Sequence, residues 1–268
     1  MRVPYGRWSG PSPAAGIFYE ISYSLHAHDN VVVGNGLRAS KGSWGANGGI
    51  CISSSPDCLV ERNLIVGNLQ GFCFREQDRS TMKVELNQDP QVPGWKQDRM
   101  LAPQVPIWNH DVVIRDNLIL NNRTTQVQGW FDIATERHWP KAMQTGRREG
   151  GKAKEDVAAG YQAKEDGVPA GLGLEDLKLP FQGNIYSLGA SQPFFIWGAN
   201  WKRKQEFKDL PSLTQVLGFE DHRSRILPPV PMDLAQRDFR VPKDLWTLIQ
   251  HAYPKGEVPG VKLGTIHK

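Results

Sequence analysis

A short motif, an apolar strand held between two asparagines, recurs along this chain. Three copies read HDNVVVGN, ERNLIVGN and RDNLILNN, and their asparagine pairs are Asn30 and Asn35, Asn63 and Asn68, and Asn117 and Asn122. A weaker copy, FQGNIYSL, has Asn184 in the first position. Asparagine suits turns because it tolerates left-handed backbone angles and its side chain bonds to nearby backbone. A unit that repeats in this way must stack on its neighbours to bury its apolar side.

A second repeated element is a strand that begins with glycine. The copies are GIFYEI from Gly16, GICISS from Gly49 and GFCFRE from Gly71, and the first two precede their asparagine by the same 14 residues. Strand alternation predicts an inward set of side chains: Ile17, Tyr19, Ile21, Ile50, Ile52, Phe72 and Phe74. It predicts two outward columns, Phe18–Cys51–Cys73 and Glu20–Ser53–Arg75.

These repeats predict an all-β fold, a parallel β-helix whose coils stack roughly 4.8 Å apart. In that register Asn30, Asn63 and Asn117 occupy equivalent turns, and Ile17, Ile50 and Phe72 lie beneath one another. The strands GWFDIATE and PFFIWG are expected to continue the stack. The alternative is a β-sandwich of unrelated strands, which does not explain why both elements recur.

The same pattern divides the chain. Residues 1–15 are an N-terminal loop, expected to be truncated relative to the natural protein, and 16–200 form the coils. Long loop insertions interrupt the coils at 76–109 and at 141–176, where AKED occurs twice among glycines and mixed charges. Residues 201–268 supply a short helix, FKDLPSLTQVLG, and an irregular C-terminal cap that closes or wraps the solenoid.

Composition limits the partners. The net charge is only +4, with acidic and basic residues mixed along the chain, which argues against a nucleic-acid partner. No apolar run approaches the roughly 18 residues needed to cross a bilayer, so membrane insertion is not expected. Three cysteines do not make a disulfide framework, and free thiols are expected. No apolar leader segment is visible at the N-terminus.

The segments GIFYEISYSLHAHDNVVVGNG, GGICISSSPDCLVERNLIVGN and GFCFRE resemble bacterial right-handed parallel β-helix proteins of the pectate-lyase-like superfamily. The resemblance covers about residues 16–200. It implies a carbohydrate-active protein that is secreted, periplasmic or on the cell surface. Its partner would be a polysaccharide or other glycan.

The sequence also departs from well-known enzymes of that superfamily. It has no Asp-Asp pair and no Gly-His-Gly, which a polygalacturonase-like site requires, and no acidic cluster suited to a pectate-lyase-like calcium ion. Neither activity is therefore carried over. No cofactor and no metal ion are predicted.

Glu20 is the leading catalytic candidate because it stands on an outward column of the first strand. Glycoside hydrolysis needs two carboxyl groups about 5–5.5 Å or 6.5–9.5 Å apart. The expected partners of Glu20 are Asp132 and Glu76. The alternative is a structural glutamate with Arg75 as its charged neighbour. Glu61, placed in a turn of the next coil, is the expected silent control.

Substrate-binding candidates are residues that can stack on sugar rings or bond their hydroxyl groups. They are His26, His28, Arg75, Trp108, His110, Arg137, His138 and Trp139. His26 and His28 lie two apart in a strand and so face the same way. The alternative for the histidines is a simple surface role, and for the tryptophans packing of the insertions.

The function predicted first is a polysaccharide-degrading glycoside hydrolase with its groove along the Glu20–Arg75 face. The alternatives are a polysaccharide lyase and a non-catalytic glycan-binding or surface solenoid. Two carboxylates in a tryptophan-lined groove favour the enzyme, whereas a flat and evenly charged flank favours the binder.

Overall fold

The computed structural model describes residues 15–37, 47–76, 79–88, 96–107, 109–131, 177, 179–188, 192–199, 204–217, 223–236, 238, 242, 245 and 247. Across 79–107 only the backbone is described. These residues are mostly β-structure. The strands make successive passes, here called coils, through three parallel sheets.

Each coil contributes one strand to each sheet, in chain order. Coil 1 contains β1 (Ile17–Glu20), β2 (His26–His28) and β3 (Val31–Val33), and coil 2 contains β4 (Gly48–Ser53), β5 (Cys58–Glu61) and β6 (Leu64–Val66). Coil 3 contains β7 (Gln70–Glu76), the inserted β8 (Arg79–Gln88) and β9 (Lys96–Ile107), then β10 (Val112–Arg115) and β11 (Leu118–Leu120). Coil 4 contains β12 (Thr125–Phe131), β13 (Phe181–Gln182) and β14 (Ile185–Ser187). The last elements are β15 (Phe195–Ala199), β16 (Lys204–Phe207), the helix α1 (Leu210–Leu217) and β17 (Arg225–Leu227).

Strands of equivalent position pair in parallel. Sheet A has the order β1-β4-β7-β12-β15, closed by antiparallel β16; sheet B has β2-β5-β10-β13; and sheet C has β3-β6-β11-β14-β17. Because each strand pairs with its counterpart in the next coil, successive coils stack on one another as the repeat predicts. This arrangement is compatible with an all-β solenoid.

The predicted register is confirmed. Ile17 pairs with Ile50, Ile50 with Phe72, and Phe72 with Val127, and these side chains join the main core. Ile50, Ile52, Phe72 and Phe74 are fully buried. Ile21 is an exception: it lies in the turn after β1 with a positive φ of 49° and is 38% exposed, so its assignment to the core is wrong. The strand ends at Glu20, and alternation does not extend beyond it.

The asparagines form two ladders between coils. The backbone N–H and Nδ2 of Asn30 both donate to Oδ1 of Asn63, at 3.1 and 2.9 Å, and Asn63 donates in the same way to Asn117. Asn117 donates to Asn184, so the weaker fourth copy belongs to the ladder. The second ladder runs Asn35, Asn68, Asn122 and ends on Gln126.

Later strands differ from the predicted register in one respect. The first three residues of GWFDIATE do continue the stack, and the rest lie outside the described residues. The strand begins four residues earlier than predicted, at Thr125, and Gly129 lies in its middle. A Cβ at Gly129 would lie 2.2 Å from Phe74 and 2.6 Å from Trp197. Without that atom the two rings stack at 5.2 Å, so the glycine here serves packing and does not start the strand.

The described part of the first insertion is a two-stranded antiparallel hairpin, β8–β9, where an irregular loop was predicted. Two strands that pair with each other satisfy their own backbone hydrogen bonds, which a loop cannot do. The predicted short helix is present as α1, with Asp209 accepting a hydrogen bond from the Ser212 amide at its start. Residues 141–176 and 1–14 lie outside the described residues.

Candidate functional site

The three sheets differ in what covers their outward faces. On sheet A the outward residues Phe18 and Glu20 of coil 1 are partly exposed. From coil 2 onward the outward residues are buried: Cys51, Ser53, Cys73, Arg75, Gln128 and Trp130. On sheet C the outward residues Leu64, Val66, Leu118, Leu120 and Ile185 pack with Val230, Met232, Leu234 and Leu245 of the C-terminal region. On sheet B the outward side chains of His26, His28 and Arg115 are 50%, 46% and 44% exposed. Among the described residues, sheet B is therefore the flank open to a ligand.

A histidine pair stands at the first coil of that flank. β2 turns Ala27 into the core, where it is 5% exposed, so alternation turns His26 and His28 outward together. Their ring centroids are 4.3 Å apart with an angle of 35° between the rings. The prediction that the two face the same way is confirmed.

Glu61 connects His26 to the neighbouring coils. It is the last residue of β5 and only 4% exposed. Oε1 of Glu61 lies 3.1 Å from Nε2 of His26 and accepts from Nη1 of Arg62 at 2.7 Å. Oε2 accepts two hydrogen bonds from Arg115, from Nε at 2.9 Å and Nη2 at 2.7 Å. Two arginines and a histidine thus surround one carboxylate.

The charge state of Glu61 follows from those partners. Burial acts to raise its pKa, but hydrogen bonds from Arg115 and His26 and the charges of Arg115 and Arg62 outweigh burial. The pKa of Glu61 therefore lies below its ordinary value. The carboxyl group is ionised at neutral pH, which suits an anchor for cations and does not suit a general acid.

Asp29 extends the network through the adjacent turn. It lies 2.8 Å from Nδ1 of His28 and accepts from Nε and Nη2 of Arg62, each at 3.3 Å. Asp29 and Arg62 adopt positive φ angles of 53° and 51° because they immediately precede the ladder asparagines. The six residues linked in this way are here called the sheet B cluster: His26, His28, Asp29, Glu61, Arg62 and Arg115.

Sequence reasoning selected only the two histidines of this cluster. The placement of Glu61 in a turn is wrong, because it is the last residue of β5 and is buried; its use as a silent control for turnover stays a prediction. The signal was present in the motif, where the two residues before each asparagine read HD, ER and RD. Stacking those copies places opposite charges beside each other in adjacent coils.

Glu20 and Arg75 do come together, on the outward face of sheet A. Oε1 of Glu20 accepts hydrogen bonds from Arg75 and, at 3.1 Å, from Ser53 Oγ, which also accepts from Nε of Arg75 at 2.9 Å. The guanidinium lies 5.0 Å from the ring centroid of Trp130 and 5.7 Å from that of Phe18. Arg75 is 3% exposed and the Glu20 side chain 30% exposed. The expected open groove along this face is wrong, because from coil 2 onward its residues are buried.

Glu76 does not join Glu20 in the outward column. It is 1% exposed, and its Oε1 accepts from the backbone N–H of Asn109 at 2.9 Å. Asn109 in turn accepts from the Ser55 amide, and Ser55 Oγ from the Ser22 amide, so Glu76 ends a third line of bonds between coils. His110 lies 2.7 Å from Asp111, with its side chain 39% exposed.

The remaining predicted residues, Asp132, Trp108, Arg137, His138 and Trp139, lie outside the residues whose side chains are described. Cys51, Cys58 and Cys73 are free and buried, and burial raises the pKa of Cys51 to about 12. No described group of three or more His, Cys, Asp or Glu residues is arranged to hold a metal ion. Within the same residues, no helix has the length and apolar character needed to span a membrane.

Comparisons with known proteins add no relative: no family model, no curated protein and no solved structure matches the chain.

Proposed function

We propose that this protein is a right-handed parallel β-helix of the pectate-lyase-like kind that binds polysaccharide along sheet B. The observation that carries the proposal is the exposure of His26, His28 and Arg115 of the sheet B cluster, while the outward residues of sheet A from coil 2 onward are buried and those of sheet C are covered. A β-helix directed at polysaccharide would act outside the cytoplasm, at the cell surface or in the medium.

The cluster offers hydrogen-bonding groups that are already held in place. His26 and His28 each use one ring nitrogen for a carboxylate, and Arg115 uses Nε and Nη2. Their other nitrogens, Nδ1 of His26, Nε2 of His28 and Nη1 of Arg115, have no hydrogen-bond partner among the described residues. Groups fixed before binding lose little conformational entropy when they engage a ligand. A sugar hydroxyl group can accept a hydrogen bond from Nη1 of Arg115 and can donate to an unprotonated ring nitrogen of either histidine.

The charge pattern favours binding over cleavage on this flank. The charges of Arg62 and Arg115 balance those of Asp29 and Glu61, which gives the mixed flank expected of a binder. Both carboxylates are bonded to arginine, and the pKa of Glu61 is lowered. A hydrolase needs one carboxyl group that stays protonated near neutral pH, which this setting opposes.

The test is a binding panel with the full chain and neutral and acidic plant and algal polysaccharides, read by affinity electrophoresis. For the glycan that binds, Arg115→Ala and His28→Ala should each raise the dissociation constant about tenfold. That change appears as weaker retardation in the gel. Arg123→Ala removes an exposed arginine away from sheet B and is the matched control. If both cluster variants are retarded as strongly as the parent protein, the binding site does not lie on sheet B.

A glycoside hydrolase centred on Glu20 is the second candidate. The observation that favours it is position: Glu20 ends β1 at the corner between sheets A and B, where β8 and β9 are also inserted, and is partly exposed. If an active parent is found, Glu20→Gln should lower its turnover at least a hundredfold. Full turnover in that variant would leave binding as the function.

A further inference from the structure

The histidine pair of sheet B has a feature that sugar binding does not require, because each ring places one nitrogen against a carboxylate. Nε2 of His26 lies 3.1 Å from Oε1 of Glu61. Nδ1 of His28 lies 2.8 Å from Oδ2 of Asp29. An ionised carboxylate can only accept a hydrogen bond, so these two ring nitrogens carry the hydrogens. In a neutral ring the other nitrogen then keeps a lone pair, which is on Nδ1 of His26 and on Nε2 of His28.

This arrangement prepares a histidine to bind a metal ion. A metal-ligating histidine typically donates its second ring N–H to a carboxylate or a carbonyl, which fixes the tautomer and raises the basicity of the ligating nitrogen. Here the carboxylates are themselves held in place. Glu61 accepts two hydrogen bonds from Arg115, and Asp29 accepts two from Arg62. Both rings are therefore oriented by groups whose own positions are fixed.

The two lone pairs belong to neighbouring rings on one strand. His26 and His28 point outward from the same face of β2, with ring centroids 4.3 Å apart and side chains that are 50% and 46% exposed. A metal ion bound to two imidazoles lies about 2.0–2.1 Å from each nitrogen, so the two nitrogens can be at most about 4 Å apart. The ring separation is of that size, and rotation of the two exposed rings can direct both lone pairs at one ion.

We propose that His26 and His28 form a two-histidine site for a late first-row divalent metal ion, with the carboxylates of Glu61 and Asp29 supporting the rings. Imidazole suits Cu²⁺, Ni²⁺ and Zn²⁺, whereas Ca²⁺ and Mg²⁺ prefer oxygen ligands. Cu²⁺ is the expected preference, because it stands highest in the affinity order for such ligands. The site has two protein ligands and leaves the other positions to water, which distinguishes it from a cluster of three or more ligands.

The charges around the site allow a cation. Arg62 and Arg115 are positive, but each is paired with a carboxylate that stands directly behind one of the rings. The carboxylates are expected to stay with the arginines and the rings and not to ligate the ion. Metal binding at the two ring nitrogens does not depend on polysaccharide binding.

The test is a calorimetric titration of the full chain with copper(II) chloride in the absence of glycan, followed by electron paramagnetic resonance. We expect the first equivalent of Cu²⁺ to show hyperfine splitting from two imidazole nitrogens. His26→Ala and His28→Ala should each raise the dissociation constant at least about tenfold, because the remaining ring no longer chelates. Each variant should also reduce the splitting to that of one nitrogen. Asp29→Asn keeps the turn and removes the charge, and should raise the dissociation constant about tenfold.

His110 supplies the matched control. Its Nδ1 lies 2.7 Å from Asp111, so it has the same kind of carboxylate partner, but among the described residues no second histidine ring stacks on it. His110→Ala should therefore leave both the dissociation constant and the splitting unchanged. Urea titration of each variant checks that the fold is kept, as expected for substitutions of half-exposed rings.

The proposal is overturned if the first equivalent of Cu²⁺ shows no splitting from two nitrogens. It is equally overturned if the double variant of His26→Ala and His28→Ala binds Cu²⁺ as tightly as the parent, or if His110→Ala weakens binding as much as either single variant. Because no glycan is present, each of these results leaves polysaccharide binding undecided. Failure of glycan retardation likewise leaves the metal site standing.

Discussion

Asp116 and Arg223 form an ion pair of 3.0 Å that spans the coil between them. The intervening position is Gly183, with a φ of 62°, and a Cβ there would lie 2.4 Å from Oδ1 of Asp116 and 2.9 Å from Nη2 of Arg223. The pair therefore meets through the space that a missing side chain leaves. It ties the last strand of sheet C to the coils before it.

Gly183→Ala tests that relationship. The new methyl group strains the left-handed backbone and displaces the ion pair, so the free energy of unfolding should fall by about 2 kcal/mol in urea titrations. Gly34→Ala is the matched control, because Gly34 has a φ of 71° and open space around its Cβ. Gly34→Ala should lower the free energy of unfolding only by the cost of placing alanine in a left-handed backbone conformation, about 1 kcal/mol. Equal losses would show that the Asp116–Arg223 contact contributes nothing.

An asparagine in the interior of the ladder should contribute more to the free energy of unfolding than Asn30, the first described member. Asn63 accepts two hydrogen bonds and is fully buried. The two hydrogens of its Nδ2 are shared among the backbone oxygens of Ala27 and Glu61 and Oδ1 of Asn117, all within 3.0 Å. Asn63→Ala leaves those groups without partners and should cost about 3 kcal/mol or more of unfolding free energy. Asn30→Ala, at the end of the same ladder, should cost about 1 kcal/mol. A double-mutant cycle of Asn63 and Asn117 should show coupling, and simple additivity would contradict a ladder.

Glu61 makes the free energy of unfolding depend on pH. Its folded pKa lies below the ordinary value of 4.5, so the stability it contributes is present above about pH 4.5 and is lost as pH falls through the lower folded value. Glu61→Gln should therefore lower the free energy of unfolding by about 2 kcal/mol at pH 7. The difference from the parent should shrink progressively below pH 4.5.

Chemical denaturation from pH 7 down to pH 3 measures that difference. Glu206→Gln, an exposed acid on β16, is the control and should change stability by less than about 0.5 kcal/mol at any pH. A constant difference for Glu61→Gln across the range would mean that its carboxylate contributes no charge interaction.

Glu20→Gln should be destabilising whatever its effect on activity. Glu20 is the partner of Arg75, whose side chain is only 4% exposed. Removing the carboxylate charge from beside a buried guanidinium should lower the unfolding free energy by about 2 kcal/mol. Arg75→Met with Glu20→Gln should recover part of that loss, because no buried charge remains. A double variant no better than Glu20→Gln alone would argue against the pairing.

The stacking of coils was predictable because it depends on spacing alone. The 14-residue interval and the recurring asparagines fix which residues become neighbours, since parallel strands keep register over a whole coil. For the same reason Asn184, in the weakest copy, still joins the ladder. Ile21 and the start of β12 were misassigned because turns and glycines end the alternation from which faces are inferred.

The location of the candidate site depended on the tertiary structure. Sequence alternation separates inward from outward side chains, but it does not say which outward face is later covered by distant segments. Val230 and Leu234 belong to the same apolar cluster as outward residues of β6 and β11, which lie more than a hundred residues earlier in the chain. Arg75 is buried on sheet A. Burial by distant residues is a property of the folded chain, so only the structure could show that His26, Glu61 and Arg115 share the exposed flank.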